Sequence, residues 1–166
     1  GELGWEIHSQ VADTAKVFDA VMAAGTPLGL KPFGMYALNS LRIEKGYRAW
    51  KGDLSTDYSM LEGGLERFVK LEKDFPGKAA IAAEKQRGAA KRFVTLTMEG
   101  ECFADAPYMS SIIVGDEYVG ETTSSAWGYR VNKAIALGMI RADLAEPGTK
   151  VEVEIYGQRV PAVVQP

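Results

Sequence analysis

The sequence predicts an α+β chain, in which a mixed helix-and-strand half is followed by an all-β half that closes as a small antiparallel barrel or sandwich. Three observations carry this. Up to Arg87, runs with helical periodicity alternate with short strand-like runs. Beyond Gly88-Ala89-Ala90, the best boundary in the chain, the pattern becomes short strands punctuated by turns. The composition, 46% hydrophobic and 25% charged over 166 residues, is that of a folded chain and excludes intrinsic disorder.

Trp5-Glu6-Ile7-His8 alternates apolar and polar residues as a half-buried strand does, after a turn at Gly1-Glu2-Leu3-Gly4. Asp13 then caps a helix with Val17, Phe18, Val21 and Met22 on its apolar face, and Gly25 stops it. A second helix is set by Met35, Leu38, Leu41 and Lys45 and ends at Gly46. Arg67–Leu71 alternates again as a strand, and Lys78 to Arg87 is rich in helix formers. The second half predicts strands at Arg92–Met98, Ser111–Val114, Glu117–Thr122, Ala134–Met139, Lys150–Ile155 and Arg159–Val164. Gly115-Asp116, Tyr156-Gly157-Gln158 and Glu146-Pro147-Gly148-Thr149 supply turns between them. The first residues open inside a turn and the last read as a strand still being paired, so the chain is expected to be a piece of a longer protein.

A net charge of −3 and a pI near 5.3 give no positive field for nucleic acid. No apolar run reaches the ~18 residues that cross a bilayer, so no membrane role is expected. Cys102 is the single cysteine, with no partner for a disulfide or a zinc site, and reads as a buried, inert thiol. His8 is the single histidine and reads as a surface or interface residue. No glycine cluster matches a phosphate loop or a dinucleotide fingerprint. Arg42, Lys45 and Arg48 form a basic stripe at helical spacing, read as a solvated face with Glu44 and Glu62 as available partners. Glu6 leaves two readings open. It is an exposed strand glutamate, or its carboxylate takes two parallel hydrogen bonds from a planar N–C–N edge such as a guanidinium or a pterin.

Gly1-Glu2-Leu3-Gly4-Trp5-Glu6-Ile7 resembles the Gly-Glu-x-Gly-aromatic-Glu-Ile motif of the folate-dependent aminomethyltransferase family, that of the glycine cleavage T-protein. The segment from Pro32 to Trp50 resembles the family's second signature, in the version found at the C-terminus of flavin-dependent dimethylglycine and sarcosine dehydrogenases. Gly52-Asp53-Leu54, Leu61-Glu62-Gly63-Gly64-Leu65 and Asp74-Phe75-Pro76-Gly77-Lys78 follow in the family's order. So do Gly120-Glu121-Thr122-Thr123-Ser124, Ile135-Ala136-Leu137-Gly138-Met139 and Pro147-Gly148-Thr149, which brings the resemblance to nearly the whole chain.

The resemblance implies that residues 1–88 are the latter part of the second aminomethyltransferase domain, a partial ferredoxin-like α/β sandwich. Residues 89–166 are then the C-terminal antiparallel β-barrel domain. It implies tetrahydrofolate as cofactor, with Glu6 pairing the pterin edge and with Tyr129 and Arg130 in a barrel loop that approaches the ligand. The implied activity is transfer of a one-carbon unit from an N-methyl amine or aminomethyl donor to tetrahydrofolate. In the dehydrogenase-type parent a separate FAD domain oxidises the amine, and 5,10-methylenetetrahydrofolate forms. The family's catalytic aspartate lies in the first domain, so no catalytic residue is assigned and the isolated chain is expected to be inactive. Leu38 stands where T-proteins carry a ligand-binding arginine, which aligns the chain with the dehydrogenase branch. The implied partners are folate, a small amine and the upstream domains of the same parent, in the cytoplasm or, for a eukaryotic parent, the mitochondrial matrix. The alternative is a non-catalytic folate-binding or domain-docking module.

Overall fold

A computed structural model describes residues 3–166, so Gly1 and Glu2 of the expected opening turn lie outside the described residues. The chain divides into two compact units, Gly1–Leu38 and Asn39–Pro166.

In the first unit, helix α1 spans Thr14–Gly25, with Asp13 at its N-cap position but without a side-chain capping bond. Gly25 is its last residue; the left-handed residue that turns the chain is Gly29, at φ +86°, after a short 3-10 turn at Thr26–Leu28. No residue of α1 is buried, and Phe18 and Val21 of its apolar face are exposed. Trp5–His8 is not a strand: it has no regular structure, and Trp5 and Ile7 are 87% and 63% exposed. Alternation only makes a strand where a neighbour takes up the backbone N–H and C=O groups, and no described residue pairs with this segment.

Helix α2, Met35–Glu44, ends where Gly46 at φ +63° turns the chain, with Gly46 N–H donating to Ile43 O and Tyr47 N–H to Arg42 O. Its buried residues are Ser40 and Ile43, whereas Met35, Leu38 and Leu41 of the expected apolar face are exposed. Ile43 packs with Phe93, Ala126, Ile135 and Leu137 on the outside of the barrel, and Ser40 Oγ donates to Trp127 O at 2.7 Å.

Arg67–Leu71 is not a strand either: a 3-10 turn covers Glu66–Phe68 and the rest is irregular, again without a pairing partner. Helix α3 covers Lys78–Arg87, as its composition predicts, between Gly77 at φ +89° and Gly88 at φ +85°.

The second half is a closed antiparallel barrel. Its strands are β1 Lys91–Met98, β2 Ser111–Val114, β3 Glu117–Gly128, β4 Lys133–Arg141, β5 Lys150–Ile155 and β6 Gln158–Gln165. They run in the order β1-β4-β3-β2-β5-β6, and β6 returns to β1. The α+β class and the barrel are therefore as the sequence predicts. Of the α/β sandwich half, the helices are present, but among the described residues no strand lies outside the barrel.

Alternation fills the barrel: Val94, Leu96 and Met98 of β1, Val151, Val153 and Ile155 of β5, and Val160, Ala162 and Val164 of β6 point into one core. Strand β4 is buried from Ala134 to Ile140 on both faces, because α2 and the loops after it cover its outer side. Strand β3 runs six residues past its expected end at Thr122. A bulge between Thr122 and Ser124 inserts Thr123 and breaks the alternation that marks a strand in sequence. Two glycines let β3 and β4 approach. A Cβ on Gly120 would lie 2.1 Å from Met139 O, and one on Gly138 would lie 2.7 Å from Glu121 O.

Candidate functional site

The loop after α2 is fastened to the barrel by one buried carboxylate. Asp53 is fully buried, and its Oδ2 accepts Arg42 Nη1 at 2.8 Å and the N–H of Ala49 at 2.7 Å. Its Oδ1 accepts the hydroxyls of Thr123 at 2.5 Å and Ser124 at 2.8 Å, both presented by the β3 bulge. Arg42 also donates through Nη2 to Ser124 Oγ at 2.8 Å and through Nη1 to Tyr47 O at 3.0 Å. Charge and lone pairs are thus matched around a fully buried carboxylate, the condition under which a buried ion pair is tolerated. The expected basic stripe is accordingly corrected. Arg42 is turned inward to Asp53 rather than to Glu44 or Glu62, and Arg48 lies beyond the glycine that ends α2. Glu44 instead accepts the N–H of Arg130 at 2.6 Å, and Glu62 accepts those of Ser59 and Lys91.

A second cluster sits where β3 meets the same loop. Glu121 accepts from Tyr58 Oη at 2.6 Å and Lys91 Nζ at 3.3 Å, and also from Tyr118 Oη. Burial works to raise the Glu121 carboxyl, but these three donors outweigh it and hold the group below its ordinary value. Burial, and then the bond to this carboxylate, push the Tyr118 phenol up to about 12 and Tyr58 well above its ordinary value. A carboxyl depressed by folding stabilises the protein above its unfolded value of 4.5 and loses that contribution as the pH falls through the folded value. Glu121→Gln is therefore expected to flatten the acid limb of stability. Urea unfolding compared at about pH 7 and about pH 3 measures it, and parallel losses in the two proteins would contradict it.

A cavity of about 570 Å³ opens between the end of α2 and the barrel, lined by Glu44, Lys45 and Arg48, by Phe93, Thr95 and Thr97 of β1, and by the ends of β4 and β6. A smaller one of about 230 Å³ is lined by Leu41, Glu44, Lys45, Arg130 and Val131.

Against this geometry the candidate residues fall as follows. Glu6 lies in the first unit with its side chain 91% exposed, its Oε2 3.7 Å from Nε2 of an equally exposed His8. Tyr129 and Arg130 lie in the turn from β3 to β4 of the second unit, with Tyr129 79% exposed and Arg130 in the wall of the smaller cavity. Cys102 is half-buried, donating to Ala104 O at 3.0 Å. Among the described residues, no cluster of His, Cys, Asp or Glu could hold a metal ion, and no helix is long and apolar enough to cross a membrane. Asp53, Thr123 and Ser124 drew no attention as site residues, although Gly52-Asp53-Leu54 and Gly120–Ser124 are the motifs whose contact the network makes.

Comparison with known proteins matches the GCVT N-terminal domain over residues 1–73 and the glycine cleavage T-protein C-terminal barrel domain over residues 91–166. Human mitochondrial dimethylglycine dehydrogenase is 42% identical over 166 residues, which is 99% of this chain and 19% of that protein. Mouse mitochondrial sarcosine dehydrogenase is 43% identical over 143 residues, 85% of this chain and 15% of that protein. An aminomethyltransferase of Bacillus cereus is 34% identical over 168 residues, which is 100% of this chain and 45% of that protein. The chain thus spans under a fifth of the length of the mammalian dehydrogenases it matches and under half of the bacterial transferase. In fold, it matches the glycine cleavage system aminomethyltransferase T of Bartonella henselae with a TM-score of 0.81 at 21% identity, over 93% of this chain and 43% of that one. With both domain models matched in order and enzymes of this kind aligned along its whole length, the chain belongs to the glycine cleavage T-protein family.

Proposed function

We propose that this chain is part of a tetrahydrofolate-dependent one-carbon transfer module within a longer enzyme that oxidises an N-methyl amine. The observation that carries this reading is the 42% identity to dimethylglycine dehydrogenase over 99% of the chain, including the dehydrogenase-type segment from Pro32 to Trp50. In this reading, residues 1–88 belong to the second aminomethyltransferase domain and residues 89–166 form the barrel domain. FAD belongs to a separate domain. The longer protein works in the mitochondrial matrix where it is eukaryotic and in the cytoplasm otherwise; the word mitochondrial in the names of its mammalian relatives supports the organelle.

Tetrahydrofolate, when bound, supplies the nitrogen that accepts the carbon unit. The donor set of this chain fits it at the pterin end. The Glu6 carboxylate is open to solvent, and its two coplanar oxygens match the amino and ring N–H donors of a pterin edge. Tyr129 carries an exposed ring and Arg130 a cation, chemistries that suit the remainder of the ligand. The role of these three residues is to bind and orient, which brings the reacting atoms together without a covalent part for the protein.

Glu6→Gln in the full-length enzyme is expected to weaken binding of a stable reduced folate by about 1.5–3 kcal/mol, the contribution of a charge-assisted hydrogen bond. Calorimetric titration measures it, and unchanged affinity would remove Glu6 from the site. Titrating the 166-residue chain in parallel separates a self-sufficient folate site from one that needs upstream residues.

A further inference from the structure

Arg48 is the odd group in the larger cavity. Its guanidinium lies over the Phe93 ring at 4.1 Å from the centroid, which occupies its face and leaves its in-plane N–H groups to find acceptors. They find little. Nη1 makes one long bond of 3.4 Å to Gly46 O, and the buried Nε has no partner. The acids that act on it from a distance are committed elsewhere, Asp53 to Arg42 and Glu66 to Arg92 at 2.9 Å. Burial pushes the guanidinium below its ordinary value against the opposing pull of Asp53 and Glu66, although arginine stays protonated. Gly64, at φ +67°, passes so close that a Cβ there would sit 2.6 Å from Nη2. A half-buried cation held in position and short of acceptors, in the wall of a cavity of ligand size, is one for which an anion is the missing partner.

We propose that this cavity binds a carboxylate-bearing ligand with an apolar, aromatic-sized body, its carboxylate paired with the Nη edge of Arg48. Phe93, Val131, Ile135 and Pro147 provide apolar wall for the body, and Thr95 and Thr97 provide hydroxyls beside the charge. The charged side chains of the lining, Glu44 against Lys45 and Arg48, leave one positive charge, so a monoanion is favoured over a phosphate dianion. The site is built entirely within residues 44–166 and does not depend on the folate reading.

The test is calorimetric titration of the 166-residue chain with hippurate, propionate, benzamide and inorganic phosphate. Saturable binding of hippurate, tighter than that of the other three, is expected, with a loss of about tenfold or more in Arg48→Gln, equivalent to ~1.4 kcal/mol. Val131→Glu places a like charge at the half-exposed rim without touching Arg48, and is expected to weaken hippurate several-fold while leaving the unfolding midpoint unchanged. Absent hippurate binding, unchanged affinity in either variant, or benzamide, propionate or phosphate binding as tightly as hippurate would each overturn the proposal.

Discussion

Asp53→Ala is expected to lower the unfolding free energy by about 3–5 kcal/mol, the loss that follows when one partner of a buried ion pair is removed and the other is left uncompensated. Arg42 is 17% exposed at its side chain and would keep its charge with only neutral acceptors. The Ala49 N–H and the Thr123 hydroxyl would lose the acceptor they share, each adding a desolvation cost. Because Asp53 ties the loop after α2 to the bulge of β3, the loss should include local opening of residues 47–64. Faster amide exchange there than in β5 and β6 would show it. Urea unfolding gives the magnitude, and a loss under about 1 kcal/mol would mean that the network adds little to stability.

Ile112→Ala is expected to cost about 2–5 kcal/mol, the range for deleting a fully buried branched side chain where the surroundings cannot collapse. Ile112 has no exposed surface, and it sits where β2 bulges against β3 while pairing with Val153 of β5. Its Cδ1 lies 3.0 Å from where a Cβ on Gly138 would stand, so it fills the space that the glycine leaves on β4. Strands paired on both sides hold their spacing, and the cavity should persist. The midpoint of urea unfolding should fall without a change in slope, and a change in slope would point instead to a loosened native barrel.

The barrel was legible because its rules are local. Alternation in β1, β5 and β6 marks an inner face, and Tyr156 and Gly157 both adopt the positive φ that a two-residue hairpin turn needs. Helix α3 was equally legible, from its composition. Misreadings arose where the same local signals lacked a partner. Trp5–His8 and Arg67–Leu71 alternate like strands but have no neighbour among the described residues, and α2 buries Ile43 rather than Met35, Leu38 and Leu41.

Of the candidate site, Glu6, Tyr129 and Arg130 came from a motif resemblance, which reads order along the chain and not proximity. The Asp53 network and the Arg48 cavity could not be seen that way. Thr123 is 70 residues from Asp53, and Phe93 reaches Arg48 only because β1 passes beneath the end of α2. By itself the sequence determined the family, the barrel strands and the three helices, since periodicity, turn residues and motif order are written in neighbouring positions. Only the tertiary structure decided which helix face is covered, which charges are paired and which arginine is left short of acceptors. Those outcomes depend on desolvation and hydrogen-bond geometry between segments that meet only when the barrel closes.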